Sequence, residues 1–193
     1  AHISGSPFSV SVAPAAIHAP TTTATGTGLI RFVACTLCAT FSVEARDQYG
    51  NLVPRASQDT VFVGTLLSPT LAKTLAVPAA GGSTTWNLIY TATFAARYSA
   101  SVVVAQTLAH IHGSPFTVDV IPGLAVSNVS HVNITVLEGS RSNIPVTVPI
   151  FSRDIYGNQM TAGGDAFSAA IFGPATVPVV MTDLGAGLYQ AVF

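Results

Sequence analysis

Residues 110–118, His-Ile-His-Gly-Ser-Pro-Phe-Thr-Val, decide how this sequence is organised, because residues 2–10 carry nearly the same run, His-Ile-Ser-Gly-Ser-Pro-Phe-Ser-Val. The two copies lie about 108 residues apart, which is the length of one small domain. In each copy the Gly and the Pro bend the chain into a strand, and the Phe that follows is expected to enter a hydrophobic core. The predicted structural residues of this motif are Gly5, Pro7, Phe8, Gly113, Pro115 and Phe116.

Two further motifs recur in the same order. Arg-Asp-Gln-Tyr-Gly-Asn at 46–51 returns as Arg-Asp-Ile-Tyr-Gly-Asn at 153–158, and Tyr-Thr-Ala-Thr-Phe at 90–94 returns as Tyr-Gln-Ala-Val-Phe at 189–193. A Gly at positive φ followed by Asn predicts a tight turn, the Asp can accept hydrogen bonds from nearby backbone, and the Tyr can close the end of a domain. The predicted structural residues are Asp47, Tyr49, Gly50, Asn51, Asp154, Tyr156, Gly157 and Asn158.

The phase of these motifs predicts the domain boundaries. Residues 1–13 are expected to be the last strand of a preceding repeat, and residues 14–121 to be one complete repeat. Residues 123–193 are expected to form a following repeat that is incomplete at its C-terminal end. A sandwich of about 100 residues per repeat fits the length of 193 residues. We call 14–121 the first repeat and 123–193 the second repeat, and we expect the chain to be a piece of a longer array.

Alternating apolar residues and abundant β-branched side chains predict an all-β chain, because period-two patterning is typical of half-buried strands. No stretch keeps a helical apolar spacing for more than about two turns. One segment is ambiguous: Ser68-Pro69 can start a helix, so a short helix competes with a strand over residues 70–77. The strands are predicted around 41–45, 61–63, 101–104, 116–120, 133–136 and 166–171.

Composition excludes several function classes. Apolar residues make up 49% of the chain and charged residues only 8%, against about a quarter in a typical globular protein. The net charge is −1, and the cations form no cluster, which argues against nucleic acid or an anionic membrane surface as partner. No apolar run reaches the roughly 18 residues of a membrane span. A surface so poor in charge indicates an extracellular protein or one buried in an assembly.

Together, the Gly-Ser-Pro-Phe motif at the end of a repeat, the Asp-x-Tyr-Gly-Asn motif near its start and Asp-Leu-Gly-Ala-Gly-Leu-Tyr at 183–189 resemble the filamin repeat. This resemblance implies tandem immunoglobulin-like, filamin-type β-sandwiches that serve as rod or peptide-binding modules without catalysis or cofactors. It also implies that a partner peptide adds as a strand at an edge near 60–66 or 166–172. The first repeat departs from the filamin pattern at 82–87, where Gly-Ser-Thr-Thr-Trp-Asn replaces an Asp-Gly-x-Gly turn.

The two cysteines, Cys35 and Cys38, form a C-x-x-C motif. Thioredoxin-like chemistry would need a helix start beside a βαβ unit, and this motif lies between strands. A zinc site would need two more ligands, and the only candidates are His110 and His112. A local disulfide or two quiet thiols are the favoured alternatives. A disulfide requires a turn here, because residues i and i+3 of an extended strand face opposite sides.

The sequons, the aspartates and the histidines each have a functional and a structural explanation. Asn128-Val129-Ser130 and Asn133-Ile134-Thr135 are N-glycosylation sequons, although Ser and Thr are common enough here for one to arise by chance. Asp47, Asp59, Asp154 and Asp165 sit singly and are better explained as turn caps than as calcium ligands. No histidine has a nucleophile or carboxylate at a recognisable spacing, so no catalytic set is predicted.

Three functions remain open. The first is a non-catalytic structural or adhesive rod at the cell surface or in an extracellular filament, whose partners are other proteins, including neighbouring repeats or copies of itself. The second is an intracellular cytoskeletal or ciliary scaffold that binds peptides by strand addition. The third is a spacer in a large enzyme. Glycans or a Cys35–Cys38 disulfide favour the first function, whereas bare asparagines and free thiols favour the second.

Overall fold

The computed structural model describes residues 3–55, 61–70, 73–79, 81–82, 84–138, 140–141, 143–174 and 177–193, with the backbone alone at 37, 38, 73 and 79. The described chain is all-β, as predicted, and its helical turns are three short 3₁₀ segments at Ala19–Thr21, Thr27–Leu29 and Thr135–Leu137. The strands of the first repeat are β1 (Thr23–Thr25), β2 (Arg31–Val33), β3 (Cys35–Glu44), β4 (Phe62–Leu67), β5 (Lys73–Leu75), β6 (Val77–Ala79), β7 (Thr85–Ala92), β8 (Arg97–Val104) and β9 (Phe116–Ile121). Those of the second repeat are β10 (His131–Val132), β11 (Thr147–Phe151), β12 (Val180–Gly185) and β13 (Leu188–Val192).

The first repeat is a two-sheet sandwich. One sheet has the order β1-β3-β7-β6, and the other has the order β2-β9-β8-β4-β5. All pairs are antiparallel except β2 with β9. This is the strand order of an immunoglobulin constant-type sandwich, with short strands added beside β9 and β4. The predicted fold class is therefore confirmed.

Strict alternation along the strands builds the core between the sheets. Every second residue of β7 is buried, and every second residue of β8 likewise, so one face of each strand lies in the core. Tyr90 stacks on Phe41 with ring centroids 5.1 Å apart, and Trp86 meets Phe62 edge-on at 5.2 Å. These aromatic pairs lie inside the sandwich, where burial of large apolar side chains contributes most to stability.

The second repeat shows one four-stranded sheet, β10-β11-β13-β12, whose order matches β1-β3-β7-β6 of the first repeat. Its own small core consists of Val148, Ile150, Tyr189 and Ala191, with Phe167 packed against it. Phe167 lies 4.8 Å from Tyr189, between ring centroids. In the described part of this repeat no strand corresponds to β8 or β9, so the sheet is covered by loops rather than by a facing sheet.

Several strand predictions are wrong in detail. Residues 133–136 run into the 3₁₀ turn Thr135–Leu137 instead of a strand, and β10 ends at Val132. Residues 166–170 form no strand, and the single bridge there joins Ile171 to Val177. The first-repeat counterpart of this segment, β4, is held by its pairing with β8, and no such partner is available in the described part of the second repeat. In β4 itself Phe62 faces the core, whereas Val63 faces outward.

The ambiguous segment at 70–77 contains strand rather than helix in its described part, because β5 pairs with Thr65–Leu67 of β4. At the departure from the filamin pattern, the Gly82 N–H donates to Thr85 Oγ1 at 3.2 Å, and β7 begins at Thr85. Residues 3–12, expected as a closing strand, have no strand pairing and are exposed except for the half-buried Ser6. In β9, the equivalent segment is held by β8 and β2.

Candidate functional site: the junction between the repeats

The Asp-x-Tyr-Gly-Asn loop of the second repeat is organised around the buried carboxylate of Asp154. Its Oδ1 accepts hydrogen bonds from the backbone N–H groups of Tyr156 and Asn158, both at 2.9 Å. Its Oδ2 accepts from the Gly123 N–H at 2.9 Å and from Asn158 Nδ2 at 2.8 Å. A single side chain therefore fixes both the loop and the point at which the chain enters the repeat.

The loop of the first repeat has the same internal bonds. Asp47 Oδ1 accepts from the N–H groups of Tyr49 and Asn51, both at 2.9 Å. Asp47 Oδ2 accepts from the Ala15 N–H and from Asn51 Nδ2, both at 3.0 Å. Like Asp154, Asp47 is fully buried. The predicted turn-capping role of these two aspartates matches this geometry.

The glycine and arginine of the motif also act alike in both copies. Gly50 and Gly157 each have a φ of +84°, which L side chains rarely adopt, so glycine is favoured at this position of the turn. Arg46 Nη1 donates to the Gly50 carbonyl at 2.7 Å, and Arg153 Nη1 donates to the Gly157 carbonyl at 2.6 Å. Each arginine thus holds the far side of its own turn.

The hydrogen bonds lower the pKa of both aspartates. The Asn51 amide is the main cause for Asp47; backbone N–H bonds from Ala15, Asn51 and Tyr49 outweigh the opposing effect of burial, and the pKa falls to about 2. Burial opposes ionisation of Asp154 more strongly. The amide of Asn158 and three backbone N–H groups still hold the Asp154 pKa below its usual value. Both carboxylates are charged at neutral pH.

The two loops differ in what lies beside them. Asn158 Nδ2 donates to the Thr93 carbonyl at 2.7 Å, and Asn158 Oδ1 accepts from the Ala95 N–H at 2.8 Å. Thr93 and Ala95 belong to the turn between β7 and β8 of the first repeat, so Asn158 binds the backbone of the neighbouring repeat at two points. Its exposed fraction is 7%, whereas Asn51 is exposed.

The junction is short and closely packed. Pro122, which is buried, is the one residue between the end of β9 and Gly123, where the second repeat begins. A Cβ placed on Gly123 would lie 3.7 Å from Val33 Cγ1 in β2 and 3.8 Å from Asp154 Oδ2. The turn that Asn158 binds is itself braced, because Tyr98 Oη donates to the Phe94 carbonyl at 2.8 Å. We call the Asn158 loop, the turn 93–95 and residues 122–123 the junction.

The Gly-Ser-Pro-Phe motif has a structural role. Gly113 has a φ of +78°, and a Cβ there would lie 3.1 Å from the Phe116 ring. Ser114 Oγ accepts from the Val102 N–H at 2.9 Å, which ties the turn to β8. The copy at 3–8 has the same local form: Gly5 has a φ of +85°, and the peptide bond before Pro7 is cis, as it is before Pro115.

Cys35 is disulfide-bonded, and the described part of the chain holds no free cysteine. The backbone is irregular here, because Cys35 and Ala39 of β3 pair with Ala92 and Tyr90 of β7, so β3 carries extra residues between two ladder positions. The extended geometry that would keep positions 35 and 38 apart is therefore interrupted. The Cys38 side chain lies outside the described part, and a Cys35–Cys38 bond stays a prediction.

The sequons lie at the start of the second repeat. Asn128 is exposed. Asn133 is half-buried, and its Oδ1 accepts hydrogen bonds from the Thr135 N–H at 3.1 Å and from Thr135 Oγ1 at 2.7 Å. Asn128 is thus the more open of the two candidate glycosylation sites. Whether either carries a glycan stays a prediction.

No group of three or more candidate metal ligands occurs among the residues that the structure describes. His110 Nδ1 lies 2.9 Å from Ser114 Oγ, so that histidine belongs to the Gly-Ser-Pro-Phe turn. Asp165 Oδ2 accepts from Ser152 Oγ at 2.7 Å and from Tyr189 Oη at 3.2 Å, which gives it a structural role. Asp59, the remaining calcium candidate, lies outside the described residues, and so does His2. In the described part, no helix has the length and apolarity needed to cross a membrane.

The two sheet edges that the filamin resemblance implies, near 60–66 and 166–172, differ from the edges in the structure. β4 pairs with β8 along its length, while on its other side β5 covers Thr65–Leu67 and the Ala76 N–H donates to the Gly64 carbonyl at 2.9 Å. Within the described part of 60–66, only residues 61–63 have no strand pairing on that side. Residues 166–172 are largely exposed but are not a strand. The actual sheet edges of the first repeat are β1, β2, β5 and β6, each of three residues, and β6 contains Pro78.

The sequence matches no family model and no curated protein. Several solved structures are similar. The structure of FdeC, an Escherichia coli adhesin, has a TM-score of 0.61 and 17% identity over 94% of this chain and 57% of its own. Invasin, a bacterial integrin-binding protein, has a TM-score of 0.53 and 17% identity over 91% of this chain and 34% of its own. The Lin-41 filamin domain has a TM-score of 0.48 and 17% identity over 56% of this chain and 100% of its own.

At this level of identity the likeness concerns the fold. This chain spans about half of the FdeC structure and about a third of the invasin structure. The filamin domain aligns too loosely to add weight. Taken with the strand order of the first repeat, the similarity to the adhesin and invasin structures confirms the immunoglobulin-like β-sandwich expected from the sequence motifs.

Proposed function

We propose that this chain is a non-catalytic structural and adhesive segment of a tandem array of immunoglobulin-like repeats, at the cell surface or in an extracellular filament. The observation that carries the structural part is the contact from Asn158 to the backbone of residues 93 and 95. Two repeats joined by two residues and fixed by a buried side chain transmit orientation from one to the next. Such nearest-neighbour contacts are what make a repeat array behave as a rod.

Three observations support the extracellular part of the proposal. The fold is similar to that of an Escherichia coli adhesin and of a bacterial integrin-binding protein. Charged residues make up only 8% of the chain. Cys35 is disulfide-bonded, and disulfides persist in oxidising compartments. In the first repeat, contacts with other proteins would be made through the exposed faces of the sandwich, because its sheet edges are short.

Peptide recognition by strand addition, the second function that the sequence left open, is less well supported. Strand addition needs a long free edge with its backbone groups unpaired. In the first repeat the edge strands β1, β2, β5 and β6 are three residues each, and Pro78 removes a donor from β6. These features are typical of sheet edges that do not accept further strands, so the six-residue β12 of the second repeat is the longest edge in the described part of the chain.

Mass spectrometry of the native full-length protein tests the location. Peptides are mapped with and without deglycosylation and with and without reduction. We expect a linked Cys35–Cys38 peptide, and sugar on Asn128 in preference to Asn133 where the native host glycosylates asparagine. Two free thiols together with two unmodified asparagines would contradict the extracellular proposal and favour the intracellular scaffold.

A further inference from the structure

The two Asp-x-Tyr-Gly-Asn loops form a natural comparison, because only one of them contacts a neighbouring repeat in the described part of the chain. In the second repeat both N–H groups and the oxygen of the Asn158 amide form hydrogen bonds. Nδ2 donates to Asp154 and to the Thr93 carbonyl, and Oδ1 accepts from the Ala95 N–H. Asn51 makes the equivalent bond to Asp47. Among the described residues nothing donates to Asn51 Oδ1, and its second N–H has no acceptor.

The loop beside Asn51 is also the more exposed of the two. Tyr49 has an exposed fraction of 76%, against 42% for Tyr156 at the same position of the second loop. The internal geometry is equal in the two copies, so the difference does not come from the loop itself. It comes from what is packed beside each loop.

The chain enters both repeats in the same way. Pro14 precedes Ala15 as Pro122 precedes Gly123, and both N–H groups donate to Oδ2 of the loop aspartate. The preceding Gly-Ser-Pro-Phe turns also agree: the Ser6 N–H donates to the Ile3 carbonyl, and the Ser114 N–H to the Ile111 carbonyl, both at 3.1 Å. A domain that is closed by residues 3–13 would therefore lie beside the Asn51 loop, as the first repeat lies beside the Asn158 loop.

We propose that residues 47–51 are a docking surface for the β7–β8 turn of a further immunoglobulin-like repeat that precedes the first repeat, with Asn51 bound to the backbone of that turn. The inference rests on the proposed tandem function and extends it to a surface that is open here. The partner must present a carbonyl and, two residues later, an N–H group, flanked by side chains as small as Thr93 and Ala95. Because Asn51 would contact backbone only, the contact tolerates variation in the sequence of the turn.

A second copy of this chain is not the partner. Its turn at residues 93–95 is already occupied by its own Asn158. The occupant is therefore a repeat upstream on the same polypeptide, for which residues 3–13 would supply the closing strand. A surface loop that is simply solvated is the alternative, and hydrogen exchange of the Asn51 amide separates the two.

The test compares the chain 1–193 with an extended chain in which a second copy of residues 14–108 is joined ahead of Ala1. Residues 14–108 followed by 1–13 rebuild a whole repeat that meets Pro14 through its natural sequence. Nuclear magnetic resonance measures hydrogen exchange of the Asn51 and Asn158 side-chain amides and the rotational correlation time of each repeat. Asn51→Ala and the matched Asn158→Ala are made in both chains, and the unextended chain controls for loss of the bond from Asn51 to Asp47.

We expect exchange of the Asn51 side-chain amide to slow by at least about tenfold in the extended chain, towards the rate of Asn158. Asn51→Ala should then free the added repeat to tumble separately, as Asn158→Ala frees the second repeat. Equal Asn51 exchange in both chains, with an added repeat that tumbles alone while Asn158 stays protected, would overturn this inference and leave the proposed rod intact. Independent tumbling at the native junction as well would overturn both.

Discussion

The first repeat and the second repeat share their motifs but differ in the sheets that the structure describes. Both have the four-stranded sheet, the Asp-centred loop and the tyrosine that enters the core. In the described part of the chain, only the first repeat adds a facing five-stranded sheet and buries a large aromatic core. The comparison teaches that the motifs set local structure by short-range hydrogen bonds, whereas the sandwich core of the first repeat depends on its facing sheet, β2-β9-β8-β4-β5.

Removing the core tyrosines should produce the largest effect and the largest difference between the repeats. Tyr90→Ala is expected to cost the first repeat about 3–5 kcal/mol of unfolding free energy, because Tyr90 is fully buried and stacked on Phe41. Tyr189→Ala should cost less, since the second core is small and open. Guanidinium unfolding followed by Trp86, the sole tryptophan, reports the first repeat, and amide signals report the second. Equal losses in both repeats would contradict the difference in size between the two cores.

Substitution of the turn glycines should affect both repeats alike. Gly50→Ala and Gly157→Ala each place a side chain at a φ of +84° where nothing lies within 4 Å, so the cost is backbone strain alone. We expect about 1–2 kcal/mol for each change, measured by unfolding as above. A cost at Gly157 several times that at Gly50 would show that the two loops are not the same local structure.

Removing only the hydroxyl groups of Tyr90 and Tyr189 should reverse the order of the stability losses, so that the second repeat loses more than the first. Tyr189 Oη accepts from the Asp165 N–H at 2.8 Å, so Tyr189→Phe should cost about 0.5–1.5 kcal/mol. The buried Tyr90 Oη has no hydrogen-bond partner among the described residues, so Tyr90→Phe should leave stability unchanged or raise it slightly. A clear loss of stability in Tyr90→Phe would show that its hydroxyl has a partner, such as a buried water.

Acid should weaken the first-repeat loop only at low pH. Because the folded pKa of Asp47 is about 2 and the usual value for an aspartate is 3.8, the loop's contribution to stability is complete above about pH 4 and is lost as pH falls towards 2. A carbon-detected titration of the carboxyl groups measures this directly. Asn51→Ala should raise the Asp47 pKa, since the Asn51 amide is the main cause of the shift, whereas Gln48→Ala, on an exposed neighbour, should leave it unchanged.

Part of this structure follows from the sequence and part does not. The turns at residues 47–51 and 154–158 are predicted well because Asp, Gly and Asn act on backbone within four residues of themselves. The strand predictions at 133–136 and 166–171 are wrong because pairing partners, rather than local alternation, decide whether such segments become strands.

The contact of Asn158 with the turn at 93–95 could not be predicted from one sequence. It joins residues more than 60 positions apart, and Asn51 has the same residue type in the same motif without that contact. What could have pointed to it is the short linker, Pro122-Gly123, that follows the end of β9. A linker of two residues forces the loop of one repeat against an end of the previous one.

The most direct test of a docked tandem array is the set of backbone residual dipolar couplings of the chain 1–193 in a weakly aligned medium. If Asn158 fixes the junction, couplings from both repeats fit one alignment tensor, and Asn158→Ala splits them into two tensors of different magnitude. Two different tensors in the unmodified chain, unaffected by Asn158→Ala, would contradict the account, because the repeats would then move independently.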